Sequence, residues 1–244
     1  MKKFLSSLVF SLFFLAGCGT GSSVVDEFAQ KFDKKIILPL YVYSQSLWQE
    51  IIDTPGDKII SIVNPDNGAG YSVEELYKDI IPKLVASGKK PIGYVMTKKA
   101  TRDIQDVKDE IDRWIRLYPD IEGFFLDEVE KGKLSYYEEI TSYIKSKNSN
   151  YFTVLNPGTL PEEEYFAIAD LVVVYESDIK NYDSNFCDIE PQKSALIVYN
   201  TTLSDMIDLV KNSKCKYIYA TDDSDFNPYD SLPSYFKKEL DLLK

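Results

Sequence analysis

The chain has 244 residues, with 39 Asp and Glu against 28 Lys and Arg, a formal net charge of −11 and no histidine. An acidic surface repels nucleic-acid backbones, which argues against DNA or RNA as a partner. Without histidine, Ser-His-Asp hydrolysis, histidine acid–base catalysis and His-ligated zinc are excluded, so any chemistry must run on carboxylates, Tyr, Lys, Ser, Thr or amides, with no metal or cofactor expected.

Lys2 and Lys3 precede an apolar run over 4–16. That run is too short to span a bilayer as a helix and has the length of a signal h-region. It ends in Leu15-Ala16-Gly17-Cys18, which looks like a bacterial lipobox. The expectation is a leader over 1–17, a lipid on Cys18, a linker over 18–34 and one domain over 35–244. The protein would then be exported and held on the bacterial membrane, the outer one in a host with two, since Gly19 rather than Asp follows the Cys. An ordinary leader that happens to contain a Cys is the alternative. Loss of Lys2 and Lys3 leaves 26 basic residues against 39 acidic ones, a net charge of about −13. Cys187 and Cys215 can form one disulfide, although two thiols without a patterned framework do not demand it.

A first strand is predicted over 35–43, unusual in containing Pro39. A short helix with Trp48, Ile51 and Ile52 follows over 44–54. The second strand, 58–64, stops at Pro65 and leads into Asp66-Asn67-Gly68-Ala69-Gly70. Ser72 with Glu75 forms the pattern of a capping box, opening a helix on Leu76, Ile80 and Leu84 that Pro82 should kink or break and Gly88 should end. The third strand covers 91–97. Ile104, Val107, Ile111, Trp114 and Ile115 then mark an amphipathic helix over 101–117.

The fourth strand, 121–129, is strongly apolar yet carries the adjacent acids Asp127 and Glu128 at its end. A second capping-box pattern, Ser135 with Glu138, opens the next helix. Further strands are expected over 151–156, 170–176, 195–200 and 216–221. Helices are expected over 161–169, 203–210 and 235–243, and 178–193 reads as a polar loop with room for a little helix.

Eight strands, each followed by a helix or room for one, point to a single-domain α/β fold, the (β/α)8 or TIM barrel, ahead of a doubly wound open sheet. In such barrels the active site lies at the C-terminal strand ends. Those ends here are Tyr43, Asn64, Thr97, Asp127 with Glu128, Asn156, Glu176, Asn200, and Asp222 with Asp223. A solvated rim accounts for many polar positions. It accounts less well for Asp127, Glu128 and Glu176, each of which terminates an apolar run. Strands four and six lie roughly 9–10 Å apart, at ~4.8 Å per step. Inward carboxyls from both can approach the ~5–5.5 Å used for retention or the ~6.5–9.5 Å used for inversion at a glycosidic bond. Asp127 and Glu128 face opposite sides of a regular strand and should differ in role. The chain's 18 Tyr, 13 Phe and 2 Trp suit sugar faces, and Tyr43 and Tyr94 are favoured among them for contact.

The chain resembles the spherulin-4, or spherulation-specific family 4, proteins from about residue 36 to 240. The resemblance rests on an ordered set of motifs. The first are Leu38-Pro39-Leu40-Tyr41-Val42-Tyr43 with Trp48, Val63-Asn64-Pro65 with Gly68 and Gly70, and Gly93-Tyr94-Val95 with Thr97 and Arg102. After these come Trp114 with Tyr118-Pro119, Gly123-Phe124-Phe125 leading to Asp127-Glu128-Val129, Leu155-Asn156-Pro157-Gly158, and Val174-Tyr175-Glu176. Gly68-Ala69-Gly70 stands where the family usually has Gly-Pro-Gly, and Lys98-Lys99 where an aromatic residue commonly follows Thr97.

The resemblance implies a barrel glycoside hydrolase that cuts exopolysaccharide rich in N-acetylgalactosamine and galactosamine within the chain, as biofilm-matrix enzymes do. Asp127, Glu128 and Glu176 would be its catalytic acids. Tyr43, Asn64, Tyr94, Asn156, Asn200 and Asp222 are the substrate-binding candidates. The alternative is a catalytically silent barrel lipoprotein that binds glycan. Nothing demands a partner chain, so a monomer is expected.

Overall fold

The computed structural model describes residues 31–224 and 227–243. The leader over 1–17, Cys18 and the linker as far as residue 30 lie outside the described residues.

Eight parallel strands close into one barrel in sequence order, as the alternation predicts. They are β1 (Lys35–Pro39), β2 (Ile59–Val63), β3 (Lys90–Met96), β4 (Gly123–Asp127), β5 (Phe152–Leu155), β6 (Leu171–Asp178), β7 (Ser194–Tyr199) and β8 (Tyr217–Ala220). Among the described residues the α-helices are α1 (Gln45–Asp53), α2 (Glu75–Ala86), α3 (Ile104–Leu117), α4 (Leu134–Lys147), α5 (Tyr165–Ile168), α6 (Leu203–Asn212) and α7 (Phe236–Leu242). The strands are apolar on both faces because each lies between the barrel interior and a covering layer. β2 is buried along its whole length. β1 ends at Pro39, which has no N–H to donate, and is shorter than the 35–43 run suggests, although Leu40 after it is still buried in the core.

Close packing needs a glycine at Gly93. A Cβ there would sit 2.7 Å from the Trp114 ring, and the ring's Nε1 donates to the Tyr94 carbonyl at 3.0 Å.

Several local expectations give way to tertiary contacts. Ser72 does not cap α2, whose N-cap is Glu74 with no side-chain bond; the Glu74 N–H instead donates to the Tyr118 phenol at 3.0 Å. Pro82 lies inside α2 without interrupting it. Ser135 falls within the first turn of α4, and the turn before it is held by Tyr137 and Tyr165, whose phenol oxygens accept from Glu130 and Lys133 N–H. A capping box does form at α6, between Thr202 and Asp205.

Strict alternation breaks after β6. No α-helix follows it; three 3-10 turns, Ile179–Asn181, Ser184–Cys187 and Pro191–Lys193, fill the place. Cys187 and Cys215 form the disulfide that composition left open, tying this excursion to the segment entering β8 over a separation of 28 residues. A closed loop of that size stabilises by roughly 3–4 kcal/mol on the chain-entropy account.

β6 also carries the irregularity that matters most. Phe125 stacks beneath Tyr94 inside the barrel, and the register runs Phe125 to Val154 to Leu171. Residues paired across parallel strands share a face, so Leu171 and Val173 point inward, and regular alternation would send Glu176 outward. The pairing of β6 with β7 slips between Val173 and Tyr175, making Val174 an extra residue. Tyr175 is thereby turned out against Phe186, at 4.8 Å between ring centroids, and Glu176 is turned in.

Candidate active site

The acids meet at the C-terminal mouth of the barrel. Asp127 is the last residue of β4 and is half-buried. Its Oδ2 accepts from the Tyr94 phenol at 2.6 Å and its Oδ1 from Asn156 Nδ2 at 2.7 Å. The same Nδ2 donates its other hydrogen to Glu176 Oε2 at 2.5 Å. Asn156 Oδ1 accepts from the Gly158 N–H at 3.0 Å, which orients the amide with its NH2 toward the acids. Glu176 Oε1 accepts from the Tyr229 phenol at 2.5 Å. Each carboxylate thus has one tyrosine of its own, and the two share one amide. With arms of 2.7 and 2.5 Å, Asp127 Oδ1 and Glu176 Oε2 stand no more than about 5 Å apart.

Burial is the main force raising the Glu176 pKa above the ordinary glutamate value, and the Asp127 charge adds to it; the Tyr229 and Asn156 hydrogen bonds pull the other way. Tyr94 and Tyr229 are pushed far up by burial and by the carboxylates they touch, and Tyr41 by burial and by the charges of Asp127 and Glu176. All three remain phenols at neutral pH and serve as donors. Tyr41 stands edge-on between the other two, 5.7 Å from each ring, and its N–H donates to the Tyr229 carbonyl at 2.7 Å.

Glu128 is placed differently. Its φ of +54° puts it in the left-handed region and its side chain is exposed at the rim. Buried Thr97 holds this corner, its hydroxyl donating to the Asp127 carbonyl at 2.7 Å and the Glu128 carbonyl at 3.0 Å. The adjacent acids therefore do have unequal surroundings, as strand alternation suggests.

Of the other expected site residues, Tyr94 and Asn156 join the carboxylates. Tyr43 is 67% exposed on the rim, edge-on to Tyr77. Asn64 accepts from the Gly68 N–H at 2.8 Å and so holds its own loop. Asn200, at φ +58°, donates to Asp178 at 2.9 Å, and Asp222 accepts from the N–H and hydroxyl of Ser234. These three fasten loops around the mouth. Tyr229 was not legible in advance: it lies in the aperiodic connection after β8, where only Asn227-Pro228 signals a turn. Tyr41 was visible as a strand-end aromatic but not as a neighbour of both acids. Among the described residues no group of three or more Cys, Asp or Glu converges as a metal ligand set.

The model of the spherulation-specific family 4 matches residues 35–243. Spherulin-4 of Physarum polycephalum is 36% identical over 157 residues, 62% of this chain and 47% of that protein, so the match spans about half the length of that relative. Among solved structures, Aspergillus clavatus Sph3 in complex with GalNAc superposes with a TM-score of 0.74 at 24% identity, covering 88% of this chain and 98% of that one. A fungal endo-β-N-acetylglucosaminidase of glycosyl hydrolase family 18 gives 0.57 at 12% identity, covering 86% and 98%. Both likenesses are of fold alone, the closed eight-stranded barrel. With the family model spanning the whole barrel, this chain belongs to the spherulation-specific family 4.

Proposed function

We propose that this protein is an endo-acting glycoside hydrolase for exopolysaccharide rich in N-acetylgalactosamine and galactosamine. The observation that carries the reading is the carboxylate pair of Asp127 and Glu176, held by one amide and two phenols at the mouth of an apolar barrel. A barrel needing only stability gains nothing from two carboxylates this close, because their charges repel. The GalNAc bound by Sph3 supports an amino-sugar ligand.

Glu176, with its raised pKa, protonates the departing glycosidic oxygen. Asp127, held by the Tyr94 phenol and the Asn156 amide, meets the positive charge that develops at the anomeric carbon. A spacing of no more than about 5 Å leaves no place for a water between the acids, which favours retention. The anomeric carbon is first captured by Asp127, or by the substrate's own N-acetyl oxygen oriented by Asp127. Water then enters on the vacated side, gives its proton to Glu176 and releases the sugar. Glu128, exposed at the rim, contacts the amino sugar outside this pair.

The test is reducing-end release by the domain from N-acetylgalactosamine/galactosamine polymers, beside N-acetylglucosamine polymers, with Asp127→Asn, Glu128→Gln and Glu176→Gln in parallel. Release that collapses in Asp127→Asn and Glu176→Gln supports the reading. Binding without release from any polymer would replace it with a silent glycan-binding barrel.

We further propose that the protein is exported and anchored by a lipid on Cys18 after loss of residues 1–17. Lys2 and Lys3, the apolar run and the lipobox-like Leu15-Ala16-Gly17-Cys18 support this. Metabolic labelling with a fatty acid, compared between wild type and Cys18→Ala, tests it.

A further inference from the structure

We propose that a second subsite, on the β3 side of the mouth, takes an anionic sugar unit of the polymer, so that the substrate carries an acidic sugar close to its amino sugar. This rests on the glycan reading above and deepens it.

The subsite begins with backbone geometry. Lys98, Lys99 and Ala100 lie in the left-handed region in succession, at φ +49°, +53° and +58°. Each such non-glycine residue costs roughly 1–2 kcal/mol. The turn is held where it is: Lys99 N–H donates to the Glu128 carbonyl at 3.0 Å, and Thr101 donates to the Lys98 carbonyl through its N–H at 3.0 Å and its hydroxyl at 2.6 Å. It therefore rides on the same corner as the acids. Backbone strain held this way clusters at working sites. Both lysines are exposed, and among the described residues neither ammonium has a hydrogen bond or ion pair.

Lys98 faces a cavity of about 320 Å3 shared with Asp66, Tyr71, Arg102, Glu110 and Arg113. Its charges do not balance. Glu110 is buried and pairs with Arg102 at 2.5 Å. Its carboxyl oxygen fills the space a side chain at Gly68 would need, so this pair also shapes the preceding loop. Arg113 also acts on Glu110, so the cavity sets three cationic groups, Lys98, Arg102 and Arg113, against two acids, Asp66 and Glu110, and Lys99 follows Lys98 in the chain. Arg113 Nε is buried without a partner, and its guanidinium lies 4.9 Å over the Tyr71 ring. Tyr71 is 86% exposed, leaving a free ring face for a sugar. A local excess of positive charge on a chain of net charge −11, next to an exposed aromatic face, fits a pyranose bearing a carboxylate or sulfate.

The test is calorimetric binding to the Glu176→Gln protein, which does not depend on turnover. The probes are trigalacturonate, a sulfated galactotriose and neutral galactotriose, with inorganic phosphate as competitor. The expected result is at least about tenfold tighter binding of a charged trisaccharide than of the neutral one, a preference lost in Lys98→Gln/Lys99→Gln and weakened by about 0.5 M salt. Tyr71→Ala should weaken all three sugars. Equal binding of charged and neutral sugars, a preference that survives the double variant, or displacement by phosphate with no effect of Tyr71→Ala would each overturn the proposal. Preference without polymer cleavage by wild type would leave the subsite standing and remove the hydrolase. Cleavage without preference would do the reverse.

Discussion

Tyr229 donates its phenol proton to Glu176 Oε1 at 2.5 Å from 53 residues further along the chain. A hydrogen bond to a carboxylate favours the charged form, so this contact holds the Glu176 pKa below where burial and Asp127 would put it. If Glu176 is the general acid, activity falls at high pH as it loses its proton. Tyr229→Phe should shift that alkaline limb of kcat/KM to higher pH and lower the maximum by about tenfold, the worth of one bond to a charged group. An unchanged profile would separate Tyr229 from the chemistry.

Asn156→Ala removes the amide that hydrogen-bonds both carboxylates. It should lower kcat by roughly 10²–10³-fold, with KM changed little, because the spacing of the acids is disturbed rather than the sugar contacts. Wild type should release product whose first-formed anomer matches the substrate. Proton NMR within the first minutes of reaction reads this directly, and an inverted anomer would rule out the paired-carboxylate mechanism.

Glu239 is fully buried on α7, where the Ala220 backbone offsets only part of the cost of burying its carboxyl. Burial pushes its pKa from 4.5 up to about 8. Below pH 4.5 the group is neutral folded or unfolded and has no effect on the balance. Between 4.5 and about 8 the unfolded chain releases the proton while the folded chain keeps it, so stability declines through that window and levels off above it. Glu239→Gln should flatten the decline and raise stability at pH 8 by a few kcal/mol. Urea unfolding at pH 5, 7 and 8.5 checks this; parallel curves for both proteins would refute it.

Cys187→Ser with Cys215→Ser, or reduction of the wild type, should lower stability by about 2–5 kcal/mol. The excursion after β6 would loosen first, because Tyr175 packs on Phe186 beside the bond. Activity at 25 °C should persist, since Glu176 is held from inside the barrel. Thermal unfolding with and without reductant, together with the activity assay, distinguishes this from a disulfide that the site requires.

Much of this molecule was legible before any coordinates. The eight-strand count came from apolar runs punctuated by Pro, Gly and acids, and those signals are local. Asp127, Glu128 and Glu176 stood out because a charge ending a buried run is costly without a use. The capping boxes read at Ser72 and Ser135 show the limit: the same local pattern was overruled where the phenols of Tyr118, Tyr137 and Tyr165 satisfied the helix entrances from other parts of the chain.

By itself the sequence determined the barrel, the rim at which chemistry can occur and the residue types available for it. Periodicity and burial act over a few residues, and every strand repeats them. Only the tertiary structure decided that Glu176 faces inward, because one extra residue at Val174 reverses the alternation. It alone decided that Asn156 bridges the two acids and that Tyr229 returns over the mouth. Those contacts depend on register and loop closure between distant segments, and no pattern within a single segment encodes them.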